Sequence, residues 1–381
     1  MNIPFNKIYL NGNEKKYIED ALQRGHLSGD GYYSKKTTAL LEEKFSLNKV
    51  LMTTSGTHAL EMAAELIELK EGDEVIMPSF TFTSTANAVL RTGAEVVFSE
   101  IKSDTFNLDP KKLEEKITSK TKAVIPVHYA GIGCEMDKII KLADKYKLFI
   151  IEDAAHAVNA KYNDKYLGGI GDFAAYSFHA SKNYVSGEGG ALVINSSDEE
   201  LIKKAEIIRE KGTNRSEFMR GKIDKYSWIG EGSSYLPSDI LMALLYAQLE
   251  KMDEIRVLRE NIYNFYSREL KHLKSYKFLE KISYVPAKRE SNYHIFYLKF
   301  NLKEIRDFVL KELNKLGINA SFHYIPLHSS PMGKKLGYKK EELPITNNAA
   351  DTILRLPIYP ELKKEEQIYI IESLEKTFKK I

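Results

Sequence analysis

Two rhythms of apolar residues alternate along the first 240 positions. Short continuous runs recur at 74–77 (EVIM), 94–98 (AEVVF), 123–127 (AVIPV), 148–151 (LFII), 174–178 (AAYSF) and 191–194 (ALVI). They are β-branched or aromatic and unbroken by polar residues, the signature of strands buried on both faces. Between them, Ala59, Leu60, Ala63, Leu66 and Ile67 keep helical spacing, as do Met136, Ile139, Ile140 and Ala143. Asp109-Pro110 sets an N-cap before a first-turn proline and opens a helix expected through Leu113 and Ile117. Strand and helix in alternation predict an α/β domain over 1–240, its helices covering a mainly parallel sheet.

The rhythm then changes. Residues 236–270 carry neither proline nor glycine after Pro237 and read as one long helix linking two domains. Beyond it come HIFYLKF as a strand, 304–316 as a helix ended by Gly317, INASFHYI as a strand, and a charged helix from about Lys363. Residues 241–381 are thus expected to form the linking helix and a smaller α+β domain. No internal repeat or low-complexity linker separates the two parts.

Composition narrows the partners without naming a function. The 381 residues hold 56 Lys+Arg against 53 Asp+Glu, mixed along the chain, so no basic surface for nucleic acid or membrane is implied. Cys134 is the single cysteine, which leaves no intramolecular disulfide and no thiolate metal cluster, and no HExxH replaces it. With no basic, apolar leader in MNIPFNKIYL, a cytoplasmic protein is expected.

Chemistry concentrates at the strand ends. Glu152 and Asp153 follow the apolar run of FIIEDAAHA, so an acid projects from the edge where open α/β sheets bind ligands. A strand-end acid also caps helices, and most loop lysines are solvated, so neither residue type speaks alone. Downstream, however, YSFHASKNYVSGEGG places Ser177, His179 and Lys182 between another apolar run and a glycine-rich loop. The run Thr53-Thr54-Ser55-Gly56-Thr57 opens the helix near His58, where N–H groups and hydroxyls can meet a phosphate. Phe82, after the EVIM strand, offers a flat apolar plate. A lysine, a strand-end acid, an anion cradle and a plate are what pyridoxal 5′-phosphate requires of a protein. Gly169-Ile170-Gly171-Asp172-Phe173-Ala174 also fits GxGxxA, but no buried strand leads into it, which argues against a dinucleotide site. His26, His58, His128 and His328 are scattered, with His128 the one expected nearest the pocket.

In this order and spacing, EGDEVIMPSFTFTSTANAVLRTGAEVVF, AVIPVHYAG, IIEDAAHAV, SFHASKN and GEGGALVIN resemble the DegT/StrS family of PLP-dependent nucleotide-sugar aminotransferases. The resemblance covers nearly the whole chain and implies the aspartate aminotransferase (fold type I) architecture. SFHASKNY, the segment from AEIIREKG to KYSW, GSSYLPSDI and FHYIPLH are similar, more narrowly, to the transaminases that make dTDP-4-amino-4,6-dideoxygalactose for enterobacterial common antigen and related surface polysaccharides. That implies L-glutamate as donor and dTDP-4-dehydro-6-deoxy-D-glucose as acceptor; amination at C3, or a non-catalytic sensor of PLP or sugar nucleotide, are the alternatives.

By the same resemblance Lys182 is the catalytic Schiff-base lysine and Asp153 the partner of the pyridine nitrogen. His156 meets the cofactor's phenolic oxygen, Gly56, Thr57 and Ser177 bind its phosphate, and Phe82 stacks on its ring. His323 is expected to reach the active site of a neighbouring subunit, which would make a homodimer with shared sites. Arg215 and Arg220 are candidates for substrate diphosphate or carboxylate. The chain departs from many relatives at Leu236, where a partner-chain asparagine contacts the phosphate, leaving Ser233, Ser234 or Ser238 to supply that contact.

Overall fold

The computed structural model describes residues 1–10 and 12–381. Its large sheet has seven strands: β1 (Lys49–Thr53), β2 (Glu74–Pro78), β3 (Glu95–Ser99), β4 (Thr121–Val124), β5 (Phe149–Asp153), β6 (Phe173–Ser177) and β7 (Gly190–Ile194). They lie in the order β1-β7-β6-β5-β4-β2-β3. Neighbours from β3 to β6 pair in parallel, and β7 runs antiparallel to both β6 and β1. Each of the six apolar runs is one of these strands. The seventh, β1, was not foreseen, because its KVLMT follows directly on the helix Tyr32–Phe45 and fades into a threonine pair.

Alternation along each strand feeds two cores. Val50, Met52, Ile150 and Ala174 join the hydrophobic cluster on one face of the sheet. Leu51, Ile151 and Ala175 join that on the other, together with Ala59, Leu60 and Ala63 of the helix Gly56–Leu66. Burial on both sides is why the strands read as unbroken apolar runs. It also sorts the acids at the end of β5: Glu152 continues the face of Ile150, and Asp153 that of Ile151, toward the helix Gly56–Leu66.

A second sheet of three antiparallel strands, β8 (Leu279–Ile282), β9 (Phe296–Phe300) and β10 (Ile353–Leu356), has the order β8-β9-β10. The helices Lys303–Lys315 and Lys364–Phe378 cover it, with Val309, Leu313, Ile370 and Leu374 packed on Phe296, Leu298 and Phe300. The expected single helix across 236–270 is two, Asp239–Glu250 and Met252–Glu269, which meet at Lys251 with φ −109° and ψ 16°. Met242, Leu245, Leu249, Met252 and Ile255 pack into the large core, whereas Ile262, Tyr263 and Tyr266 pack into the small one. The bend serves two cores, a tertiary demand with no proline or glycine to announce it.

Two further expectations fail locally. INASFHYI makes only isolated bridges, Ile318 with Ile3 and Ser321 with Arg355, and leaves the sheet where His323 and Tyr324 turn toward the cavity described below. The helix after Asp109 spans Pro110–Glu114 only, with the Asp109 side chain accepting from the Lys111 N–H, and stops short of Ile117. The bridge to Ile3 is flanked by backbone hydrogen bonds of 2.7 Å to Gly317 and 3.0 Å from Asn319, which tie the N-terminal segment to the small core. Among the described residues no helix is long and apolar enough to cross a membrane.

Candidate active site

A cavity of about 610 Å³ opens at the carboxyl ends of β5 and β6, between the large sheet and the second sheet. Asp153, His156, Ser177, Lys182, Gly56, Thr57, Phe82 and His323 all line it. Eight residues singled out in the sequence therefore converge on one space, including partners far apart in the chain.

Asp153 is fixed before any ligand arrives. Thr85 Oγ1 donates to its Oδ2 at 2.8 Å, the Ala155 N–H to its Oδ1 at 3.2 Å, and Thr81 Oγ1 pairs with Thr85 Oγ1 at 2.8 Å. Glu152, one residue earlier, is spent on the fold. Its carboxylate accepts N–H groups from Gly168, Ile170 and Gly171 at 2.7–2.9 Å and pairs with His128 Nε2 at 2.8 Å. Burial alone would raise the Glu152 carboxyl, but His128 and the N–H groups outweigh it and hold the carboxyl below its ordinary range. The glycine-rich turn that mimics a dinucleotide motif thus cradles the chain's own carboxylate. His128 is fully buried on that side, not in the cavity.

Lys182 lies in the loop after β6, which the His179–Gly187 bridge and a 2.9 Å bond from the Lys182 N–H to the His179 carbonyl hold in shape. Burial lowers its amine to about 8, against the pull of Asp153, and Arg355 pushes the same way as burial. An amine so placed gives up its proton far more readily than an exposed lysine.

The anion cradle forms where β1 and β6 end and β7 begins. Ser55 caps the helix Gly56–Leu66, its Oγ accepting from the His58 N–H at 3.1 Å, while Thr57 Oγ1 meets Ser84 Oγ at 2.7 Å. A Cβ on Gly190 would stand 2.3 Å from the Ser55 carbonyl carbon and 2.4 Å from the Gly56 nitrogen. Only glycine there lets the strand approach the helix N-terminus, where unpaired N–H groups attract a phosphate. Phe82 directly precedes the helix Thr83–Leu90 and is 62% exposed, a large apolar ring turned to the cavity. His156 is buried, its Nε2 3.3 Å from the Tyr324 hydroxyl and its Nδ1 without any partner. A buried ring nitrogen left unsatisfied marks a place for a ligand atom. Acid, lysine, cradle, plate and orphan nitrogen together fit pyridoxal 5′-phosphate.

Other residues singled out in the sequence lie in or beyond this chain's own cavity. His323 lines the cavity of its own chain, 3.3 Å from the Tyr129 hydroxyl and parallel to His156 within 4°. Arg220 is clamped by both oxygens of Glu206 at 2.7 and 2.8 Å, and Arg215 meets Glu210 at 3.3 Å, both outside the cavity. Leu236 packs on Gly29, and Ser233 and Ser234 lie exposed outside the cavity.

The sequence reading missed two residues of consequence. Arg355, on β10, lines the cavity and is half-buried. It donates to Ser321 Oγ at 3.3 Å and to the Phe322 carbonyl at 3.0 Å, sits 4.6 Å under the Phe5 ring, and leaves its Nε unpaired. Among the described residues no carboxylate answers it. A lone arginine in ILRLPI gave no signal beyond its placement in an apolar strand. His294 lies 4.5 Å from His156 ring to ring. Burial, then Lys182, holds both His156 and His294 far below the ordinary imidazole range, and burial with Arg355 does the same for His323, so all three are neutral at pH 7. Among the described residues no cluster of His, Cys, Asp or Glu is arranged to hold a metal.

Comparison with known proteins agrees with this geometry. The DegT/DnrJ/EryC1/StrS aminotransferase family profile matches residues 9–375. The spore coat polysaccharide biosynthesis protein SpsC of Bacillus subtilis is 32% identical, over 98% of this chain and 96% of its own. The GDP-perosamine synthase of Caulobacter vibrioides is 32% identical over 96% and 95%. Spr1654 from Streptococcus pneumoniae, assigned as a sugar aminotransferase, superposes with a TM-score of 0.92 at 28% identity, covering 100% of this chain and 98% of that one, and is solved in PLP and PMP forms.

Proposed function

Because this chain belongs to the DegT/DnrJ/EryC1/StrS aminotransferase family, we propose that it transfers the amino group of L-glutamate to C4 of a nucleotide-activated 4-keto-6-deoxyhexose, dTDP-4-dehydro-6-deoxy-D-glucose, giving dTDP-4-amino-4,6-dideoxy-D-galactose and 2-oxoglutarate. It is a sugar aminotransferase and its cofactor is pyridoxal 5′-phosphate. When bound, that cofactor supplies an electron sink and carries the amino group between donor and acceptor.

The chain's residues supply the rest. Lys182 would anchor the cofactor, and its Nζ would carry the proton as general base and then acid, a task that burial's lowering of its amine favours. Asp153, locked by Thr85 and the Ala155 N–H, would hold the ring nitrogen in its protonated form. The N–H groups of Gly56 and Thr57, with the Ser177 hydroxyl, would hold the phosphate, Phe82 would give the ring its apolar plate, and His156 would offer its free nitrogen to the ring oxygen. Arg355 takes the donor's carboxylate. A half-buried guanidinium with its Nε unpaired and no acid beside it is suited to an incoming anion, and the donor brings one. That unanswered charge, in one cavity with Lys182 and Asp153, is the observation that carries the reading.

Relatives named GDP-perosamine synthase support a second reading in which the nucleotide is GDP, with the same transfer. The match to SpsC supports a role in making a surface polysaccharide. A homodimer belongs to the proposal, supported by Phe218, Met219, Tyr226, Trp228 and Ile229, all exposed within one short segment. NMR of the product formed from glutamate and a panel of keto-sugar nucleotides tests the reaction. Nitrogen on C4 of the dTDP sugar supports it, whereas nitrogen on C3, or turnover confined to a GDP sugar, would sink the first choice.

A further inference from the structure

We infer that His294 selects the sugar substrate, its Nε2 accepting a hydrogen bond from a ring hydroxyl of the keto-sugar. The inference rests on the transaminase reading above and adds a contact that reading does not require.

The tautomer follows from hydrogen-bond bookkeeping alone. Asn183, the residue after Lys182, donates from Nδ2 to the Asn292 carbonyl at 2.8 Å, and a carbonyl can only accept. The Asn183 oxygen is therefore the atom that faces His294 Nδ1 at 2.8 Å, so Nδ1 must carry the hydrogen. Neutral imidazole has one N–H, which leaves a lone pair on Nε2. Asn292 fixes the same ring from its backbone side. Its Oδ1 accepts from the His294 N–H at 3.2 Å, and its Nδ2 donates to the carbonyls of His156 and Val158 at 2.8 and 2.9 Å. Asn292 is itself fully buried, so this is a built support and not a surface coincidence.

Among the described residues no hydrogen bond reaches Nε2, although His294 lines the cavity. Of the carboxylates there, Asp153 is committed to Thr85 and the Ala155 N–H, and Glu188 stands at the exposed rim, 3.7 Å from His179. The cavity thus offers an uncommitted neutral acceptor next to Lys182. A dicarboxylate donor has little use for it, since a lone pair repels a carboxylate, and that charge is served by Arg355. A sugar hydroxyl needs such an acceptor, and a buried polar pair of this kind discriminates strongly against an analogue lacking the group.

Two variants separate the roles of the ring nitrogens. His294→Asn keeps a donor toward Asn183 and removes the acceptor; His294→Gln keeps a polar group near the Nε2 position and gives up the Asn183 bond. With holoenzyme, the two half-reactions are followed separately by the cofactor's absorbance, and binding of the amino-sugar product is measured by calorimetry. The expected outcome is that His294→Asn loses about 10- to 100-fold in kcat/KM for the keto-sugar and in product affinity. The loss in the glutamate half-reaction should be at least about tenfold smaller, and His294→Gln should recover part of the sugar loss. A keto-sugar lacking the relevant hydroxyl should cost the unaltered enzyme the same factor and His294→Asn nothing. Equal losses in both half-reactions, or a shifted cofactor spectrum in the resting enzyme, would assign His294 to the cofactor and overturn the inference. If glutamate leaves the cofactor of the unaltered enzyme unchanged, the transaminase reading falls first and takes this one with it.

Discussion

Residue-scale chemistry in this protein is set by burial acting on a few charged groups. Lys182 has its amine held at about 8 by burial, where an exposed lysine stands at 10.5. A lysine reacts with an aldehyde only when neutral, so capture of pyridoxal 5′-phosphate by cofactor-free protein should rise with pH and level off above about 8. Borohydride trapping at Lys182 across pH 6–11 measures it; a rate still climbing at pH 10 would contradict the assignment. The same shift has a stability consequence. Between about pH 8 and 10.5 the unfolded chain binds more protons at this position than the folded one, so the cofactor-free protein gains stability as pH rises through that window. Arg355 makes the complementary case. Replacing it with methionine removes a half-buried charge without a counter-ion, so the melting temperature should hold or rise while KM for glutamate rises about 10- to 100-fold. A fall in melting temperature with unchanged KM would show the guanidinium to be structural. Neither Arg355 nor His294 was visible in the sequence, because each is a single polar residue in or beside an apolar strand whose partners lie far away in the chain. Asp153 was visible, since an acid at the end of FIIED is itself unusual, but only the twofold alternation of β5 tells it from Glu152.

At the scale of elements, the strands were legible because burial on both faces leaves no polar interruption, whereas β1 and the break at Lys251 depend on what the chain meets in space. The phosphate cradle lies between these extremes. Its threonines, serine and glycine can be read as a helix start, but its closeness to β7 cannot. Gly190 opposes Thr53 on β1 and Ser177 on β6, and its missing side chain is what lets three strand ends meet the first turn of the helix Gly56–Leu66. Gly190→Ala should push that turn aside, weakening retention of pyridoxal 5′-phosphate on dialysis by about tenfold or more and lowering the melting temperature, since steric overlap with backbone has no cheap relief. Ser55→Ala, which removes only the cap to His58, should cost about 0.5–2 kcal/mol of stability. If both variants retain cofactor equally well, the cradle is not where the phosphate sits.

For the whole molecule, the site is a composite of both sheets. Lys182 and Asp153 come from the large one, Arg355 from β10 and His294 from the approach to β9, and the N-terminal segment closes the rim with Phe5 over Arg355. Its tie to the small core through Ile3 was not legible, because a lone isoleucine before Pro4 carries no period. The proposed homodimer follows from the exposed segment around Trp228, which is 80% exposed. Sedimentation should give twice the 43.6 kDa chain mass, and Trp228→Glu should shift the protein toward monomer; a monomeric parent protein would end that part of the proposal. The central claim is tested most directly by adding L-glutamate alone to holoenzyme, then the keto-sugar nucleotide, while following cofactor absorbance and 2-oxoglutarate. The prediction is about one 2-oxoglutarate per active site with complete conversion of the cofactor to its amine form, reversed by the keto-sugar, and neither change in Lys182→Ala. An unchanged spectrum with glutamate, or conversion that persists in Lys182→Ala, would contradict it.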